Sequence, residues 1–481
     1  MGLYLGLDVG TTTLSGLALD SVNGDVIAQI SLRNDAARSY RDQDGLLCAE
    51  LDPQRLYDRL MSLLTEIADV LPSGPTIEAI GVTGQQHGMA LLTAQCEPVG
   101  PAITWQDQRV QAQRDDGESY LQAFVRQAGG PEAFHPMGCI PSAGFMGPTL
   151  YWLADRTDLL DRAAHVCFIP DLAVTLLTGR APVSDPTNAG SSGLFDLTKA
   201  DWAWQIIERL RLPRHLFPPI KAAGVPRGLL KEQIANATGL PPIPVCVAAG
   251  DNQASFVGSV RVPEDSVLVN VGTGGQISAT VERFVRLANV ETRAFFGGDY
   301  LLVGAGLYGG RAYAYLQEFF RAIGAALWQT DSDAELYDRM NALAREVPPG
   351  AEGLRFEPLF TGTRADPSLR ATLSGIGPTS FRPGHVTRAL LEGIAEGFYT
   401  LYQEMAPYLG ERHTLVGAGN GLTRNPVLAE IVARRFGLPL CLASDIEAAA
   451  RGAALLAASG ADDTSLTEAM SRLAYDSVVR C

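Results

Sequence analysis

The 481 residues carry 38 Lys and Arg against 53 Asp and Glu, a formal net charge of -15 at pH 7. That balance excludes nucleic acid as the expected partner, because such binders gain affinity by neutralising phosphates with basic side chains. With 46% hydrophobic and 19% charged residues, the composition is that of a folded chain of several domains, and a neutral small molecule or a nucleotide carried with a metal cation suits its field.

The opening run LYLGLDVGTTTLSGLALDSVNGDVIAQISLR holds β-rich stretches around Gly10 and Thr11 to Thr13, then an Asn23-Gly24 turn. It predicts strand, glycine turn, strand, hairpin, strand. Next, DPQRLYDRLMSLLTEIADVL places Leu56, Leu60, Leu63 and Leu64 on one helical face, and IEAIGVTG reads as another strand. The N-terminus MGLYLGLDVG has neither a basic stretch nor a cleavage site, and no apolar run approaches the roughly 18 residues of a membrane span, so no membrane partner is expected. Seven scattered cysteines, Cys48, Cys96, Cys139, Cys167, Cys246, Cys441 and Cys481, show no metal-binding spacing and suit a reducing, cytoplasmic compartment.

Further on, KAAGVPRGLLKEQIANATGLPPIPV is rich in Pro and Gly and marks a boundary near residue 245, giving lobes 1–245 and 246–481. The second lobe repeats the first: Asp251 on a turn, then SVLVNVGTGGQISATV, an apolar strand broken by Gly-Thr-Gly. A third glycine cluster, VGAGNGLTRNPVLAEI, ends a strand and starts a helix. A small-residue helix, IEAAARGAALLAASG, and a final amphipathic helix, SLTEAMSRLAYDSVV, complete the reading. The fold expected is α/β with two lobes of related design.

Asp8 ends an apolar strand before a tight turn whose small residues and hydroxyls suit phosphate oxygens, and the acid itself suits Mg2+. An ordinary hairpin bent at Gly10 has the same pattern. The turn at Gly272 and Thr273 repeats that chemistry, so a nucleotide between the lobes would meet one turn from each side. Neither a Walker A motif nor GxGxxG after a first strand is present. Asp251 follows a strand end and Gly250 and precedes small helical residues; it suits either a catalytic carboxylate or a plain helix cap.

GLDVGTTT, VTGQQHGM, TWQDQR, DPTNAGSSGLFDL, AAGDNQAS, NVGTGG and GAGNGLTRNP stand in the order and spacing of the FGGY carbohydrate kinases, which the chain resembles over nearly its whole length. TWQDQR, the NAGS segment, GDNQAS and FEPLFTGTRADPSLRATLSGI look most like sedoheptulokinases, with xylulokinases, ribulokinases and glycerol kinases more distant. The resemblance implies two ribonuclease-H-like, actin/hexokinase-type lobes with the active-site cleft between them, closing on ATP-Mg2+ and a ketose or polyol, and homodimer pairing. It implies Asp251 as catalytic base; Gln86, His87, Trp105, Asp107, Asn188 and Asn252 as sugar contacts; and Asp8 as the metal ligand. For the nucleotide it implies Thr11, Thr12, Thr13, Gly272, Thr273, Gly309, Gly310, Gly421 and Asn425. Relatives usually carry Lys or Arg three or four residues after the first Thr of the opening turn, where this chain has Ser15; Arg311 and Arg424 are candidates to replace that cation. An actin-like ATP-binding switch would share the phosphate turns, though it has no need of GQQHGM or TWQDQR.

Overall fold

The opening run forms three strands, Gly2–Val9, Thr13–Asp20 and Val26–Arg33, in a computed structural model that describes residues 2–72, 76–329, 335–362, 366, 368–444, 447–461 and 464–480. Alternation along the first strand splits its side chains between two layers. Leu3, Leu5, Leu7 and Val9 pack with Leu56, Leu60, Leu63 and Leu64 of the helix Pro53–Val70, while Tyr4 packs with Ala450 and Ala454 of the helix Ala448–Ala461. The first helix starts where expected because the Asp52 side chain accepts from the backbone N–H groups of Gln54 and Arg55.

Seven strands make the first sheet, in the order Pro226–Leu229, Pro244–Cys246, Thr76–Gly84, Gly2–Val9, Thr13–Asp20, Val26–Arg33, with Ala249–Gly250 pairing along the end of Thr76–Gly84. The second sheet runs Glu291–Ala294, Tyr300–Tyr308, Gly274–Val281, Ser266–Val271, Thr414–Ala418, Leu440–Ala443, Tyr475–Val479. In both, an antiparallel meander of three strands is followed by parallel strands, so the two lobes share the ribonuclease-H-like design expected.

Three features differ from the sequence expectation. The Pro- and Gly-rich segment before residue 245 is no linker: it supplies two strands of the first sheet and the helix Glu232–Thr238, and the sheet continues to Gly250. The helix Ala448–Ala461, far along the chain, packs on Gly2–Val9, Thr76–Gly84 and the helix Asp251–Ser259, so the end of the chain ties the two lobes together. SLTEAMSRLAYDSVV is helical only over Leu466–Ser471; Tyr475–Val479, rich in β-branched and aromatic residues, pairs as an edge strand with Leu440–Ala443.

An unforeseen five-stranded sheet, in the order Ala37–Arg41, Leu47–Leu51, Ala102–Ile103, Met89–Leu92, His165–Phe168, is set into the first lobe. It positions the TWQDQR segment. No helix among the described residues is long and apolar enough to cross a membrane, and none of the six described cysteines is in a disulfide.

Candidate active site

Asp251 stands where the first sheet hands over to a helix. Thr83 Oγ1 donates to the Ala249 carbonyl at 2.9 Å, and the helix Asp251–Ser259 begins at the next turn. The Asn252 N–H donates to Asp251 Oδ1 at 2.7 Å. Burial pushes the Asp251 carboxyl up to about 6, opposed by that N–H and by the Arg293 charge. It is therefore poised to change protonation near neutral pH.

Gly250 makes this placement possible. A Cβ there would lie 2.1 Å from Nε2 of Gln86, which instead crosses the glycine to donate to the Thr187 carbonyl at 2.7 Å. The Gly250 N–H donates to Thr187 Oγ1 at 2.8 Å, and that hydroxyl donates to the Asp185 carboxylate. Within DPTNAG it is thus Asp185 and Thr187, passed over in the sequence, that tie Gln86 to the Asp251 turn. Asn188, expected as a sugar contact, is buried in the interior, where its Nδ2 lies 3.4 Å from the Ala248 carbonyl.

His87 adopts φ 71°, an uncommon left-handed conformation for a non-glycine residue. Its N–H donates to Ser191 Oγ at 3.1 Å, its Nδ1 lies 2.9 Å from the Ser191 carbonyl, and its ring stacks 4.1 Å from that of Phe145. Trp105 is 45% exposed, and its Nε1–H donates to Thr11 Oγ1 at 3.0 Å. Asn252 reaches the second lobe, its Nδ2 donating to Oε1 of Gln276 at 2.8 Å. Gln276 carries no motif of its own and was missed for that reason.

Asp107 belongs elsewhere. Its carboxylate accepts from the N–H of Ala49 at 2.8 Å and from Nε and Nη2 of Arg109 at 2.8 and 2.9 Å. Arg109 also donates to Glu50 at 2.8 Å, and although burial opposes the charge, these two carboxylates hold the guanidinium above its usual pKa. Asp107 is 1% exposed and committed to this network, which corrects its expected role as a sugar ligand.

The first glycine turn is braced by Asn34, whose N–H donates to the Thr12 carbonyl at 2.8 Å and whose Nδ2 donates to the Gly10 carbonyl at 2.7 Å. That leaves Thr12 and Thr13 exposed. The second turn is braced by the glycine pair expected beside it: the Gly310 N–H donates to the Gly272 carbonyl at 2.9 Å and the Arg311 N–H to the Thr273 carbonyl at 3.0 Å. A Cβ on Gly309 would lie 2.6 Å from the Gly274 carbonyl, so only glycine permits the approach. Gly421 abuts Val271, at the end of the strand leading into the second turn. Asn425 is instead a buried cap, its side chain accepting from the Leu428 N–H at 3.0 Å, which corrects its assignment to adenosine. A cavity of about 240 Å³ opens beside this cluster, lined by Ser255, Asn270, Gly419, Asn420 and Thr423 among others.

Asp8 pairs with Ser15 across the first hairpin. Its Oδ1 is buried without a hydrogen-bond partner, and burial, then Asp251, then Glu447, push its carboxyl up to about 8. A buried oxygen lacking a donor, in an acid-rich setting, is a fit for a hard cation. Among the described residues no group of three or more acidic, His or Cys side chains is suited to a metal, so such an ion would take its remaining ligands from water and phosphate. Ser15 itself is buried; its Oγ lies 3.0 Å from Ser31 Oγ, which in turn lies 3.2 Å from Glu447 Oε1. Arg311 and Arg424 are both exposed, with the Arg311 guanidinium 5.9 Å from the Tyr315 ring. Of FEPLFTGTRADPSLRATLSGI, residues 363–365 and 367 lie outside the described residues.

Two ribonuclease-H-like lobes, a glycine turn from each, and a half-buried acid at their junction define a two-lobed phosphotransferase of the carbohydrate kinase type. Residues 3–258 match the N-terminal domain and residues 269–461 the C-terminal domain of the FGGY family of carbohydrate kinases, and the chain belongs to that family. It is an ATP-dependent sugar kinase, and a switch without kinase activity is set aside. It is 28% identical to a sedoheptulokinase of Mus musculus, with 94% of this chain and 96% of that one covered. It is 29% identical to a glycerol kinase of Thermus brockianus, with 97% and 91% covered. A xylulose kinase of Rhodospirillum rubrum superimposes with a TM-score of 0.86 at 25% identity, covering 99% of this chain and 94% of that one.

Proposed function

We propose that the protein transfers the γ-phosphoryl group of ATP to a ketose hydroxyl, with sedoheptulose, giving sedoheptulose 7-phosphate, as the first acceptor to test. The observation that carries the reading is Asp251, a half-buried carboxyl at about 6 on the junction between the lobes, tied through Gly250 and Thr187 to Gln86. Phosphoryl transfer asks little covalent work of the protein; it requires an acceptor oxygen placed in line and its proton accepted. In this reading Asp251 accepts that proton, Gln86 and His87 orient the acceptor, and Trp105 offers an apolar face to its carbons. Thr11 to Thr13 and the Gly272–Thr273 turn would hold the phosphates, and Asp8 would hold Mg2+, which would supply positive charge to the phosphates.

Support for a ketoheptose comes from the likeness to sedoheptulokinases across nearly the full chain. The 0.86 TM-score with a xylulose kinase favours a pentulose as the second reading. ADP release with ATP-Mg2+ over D-sedoheptulose, D-xylulose, D-ribulose, L-ribulose, glycerol and no sugar separates them. Highest kcat/KM on sedoheptulose is expected; highest on a pentulose moves the substrate, and no sugar-dependent turnover sinks the acceptor class.

A further inference from the structure

We infer that Glu291 and Arg293, on the edge strand of the second lobe, form a specificity-determining pair that reads acceptor hydroxyls from the side facing the first lobe. This rests on the ketose-kinase reading above and adds to it residues that no sugar-binding motif of the sequence contains.

The strand Glu291–Ala294 is outermost in its sheet and, among the described residues, pairs only with Tyr300–Tyr308. Its free edge is fastened instead to the active site's surroundings. The Thr292 N–H donates to the Gly138 carbonyl of the first lobe at 3.2 Å, and the Ala294 carbonyl accepts from Nε2 of Gln253 at 3.0 Å. Gln253 is fully buried and stands two residues beyond Asp251. The strand is therefore positioned against the base helix independently of its own sheet.

Side chains two apart share a strand face. Thr292 and Ala294 point into packed interior, whereas Glu291 and Arg293 keep side-chain exposures of 21% and 16%. Nε and Nη2 of Arg293 both donate to Oε2 of Glu291, at 3.0 and 2.6 Å. The Thr292–Gly138 and Gln253–Ala294 bonds on either side of Arg293 set the pair beside the base helix and next to the first-lobe loop, and the Arg293 charge holds the Asp251 carboxyl down against its burial.

A largely desolvated ion pair adds little stability over apolar residues of similar volume, because removing two charges from water offsets their attraction. What it does supply is a fixed donor and a fixed acceptor, neutral together. That combination matches hydroxyl groups, each of which gives and takes one hydrogen bond, and does not call for an anionic acceptor. A site built to bond a hydroxyl rejects an analogue lacking it far more strongly than an apolar wall does.

The test is steady-state kinetics of the wild type, Glu291→Gln, Arg293→Lys and Arg293→Met over the same sugar panel, with the thermal midpoint of each variant recorded. In Arg293→Met the ratio of kcat/KM between the best and second-best ketose is expected to collapse by at least about tenfold, with KM for ATP unchanged. Arg293→Lys keeps part of the ratio, and the near-isosteric Glu291→Gln guards against a packing defect. An equal fall on every sugar, or an unchanged ratio, overturns the assignment. A wild type inactive on the whole panel sinks the kinase reading instead, and calorimetric binding of the same sugars then decides the pair: affinities unaltered in Glu291→Gln overturn it.

Discussion

The indole Nε1–H of Trp105 donates to Oγ1 of Thr11 at 3.0 Å, joining segments 94 residues apart. One belongs to the inserted sheet that carries TWQDQR and the other to the first glycine turn, so the proposed acceptor wall and the proposed phosphate turn touch directly. Replacing Trp105 by Phe keeps an aromatic face and removes the bond. A single exposed hydrogen bond contributes about 0.5–1.5 kcal/mol, so KM for ATP should rise about two- to tenfold while KM for the sugar stays nearly constant. Trp105→Ala should raise both. An ATP KM unmoved in the Phe variant removes the link.

Asp251→Asn should keep nucleotide and sugar binding, measured by calorimetry, while kcat falls about 10²- to 10⁴-fold, the usual contribution of a general base. The pH profile carries the sign. A base works as its carboxylate, and burial raises this carboxyl from 3.8 to about 6. At saturating ATP-Mg2+, where the metal holds Asp8 ionised, the wild-type kcat/KM for the sugar should therefore be flat above pH 6 and drop tenfold per unit below it; an acid limb at the ordinary carboxylate value near 4 would remove Asp251 from that role.

Asp107 gives a prediction of the opposite kind. Asp107→Ala leaves Arg109, whose side chain is 9% exposed, with only Glu50 as its buried partner. Breaking a buried ion pair from one side costs about 3–5 kcal/mol. Urea unfolding should show a clear drop in midpoint, with the sugar KM of the remaining folded enzyme little altered. A raised sugar KM at unchanged midpoint would restore Asp107 as a sugar contact.

Asp8 should destabilise the ligand-free protein at alkaline pH. Its carboxyl is raised from 3.8 to about 8 in the fold, so the folded state holds the proton more tightly than the unfolded chain. The stability this gives is full below about pH 4 and is lost as pH rises through 8. Asp8→Asn should then melt above the wild type at pH 8, with the gap closing toward pH 4. Adding Mg2+ and nucleotide should raise the wild-type midpoint more than that of the variant; equal shifts would take the metal away from Asp8.

The two lobes were legible because each announces itself locally: alternating apolar residues, a glycine turn, and a leucine face closed by the Asp52 cap. Asp8, the paired turns and Asp251 were legible for the same reason, each lying in a short run of small residues after a strand. The inserted sheet was not, since strands as short as Ala102–Ile103 leave too few residues for a period. The final strand Tyr475–Val479 was misread as helix because its edge partner, Leu440–Ala443, lies more than thirty residues away, and propensity over so short a run yields to pairing.

By itself, then, the chain determined its α/β class, its two related lobes and the candidate site segments, all of which depend on neighbours within a turn or a strand. Only the tertiary structure decided which polar residues face the cleft and which are consumed inside it. Asp107 and Asn425 carry the same functional groups as residues left available, but Arg109 and the Leu428 N–H occupy them, while Asn188 is enclosed in the interior with its Nδ2 toward the Ala248 carbonyl. Thr187 and Gln276 join the Asp251 turn through partners distant in sequence. A buried polar group must find a partner, and which partner lies within about 3 Å is a property of packing, not of local order.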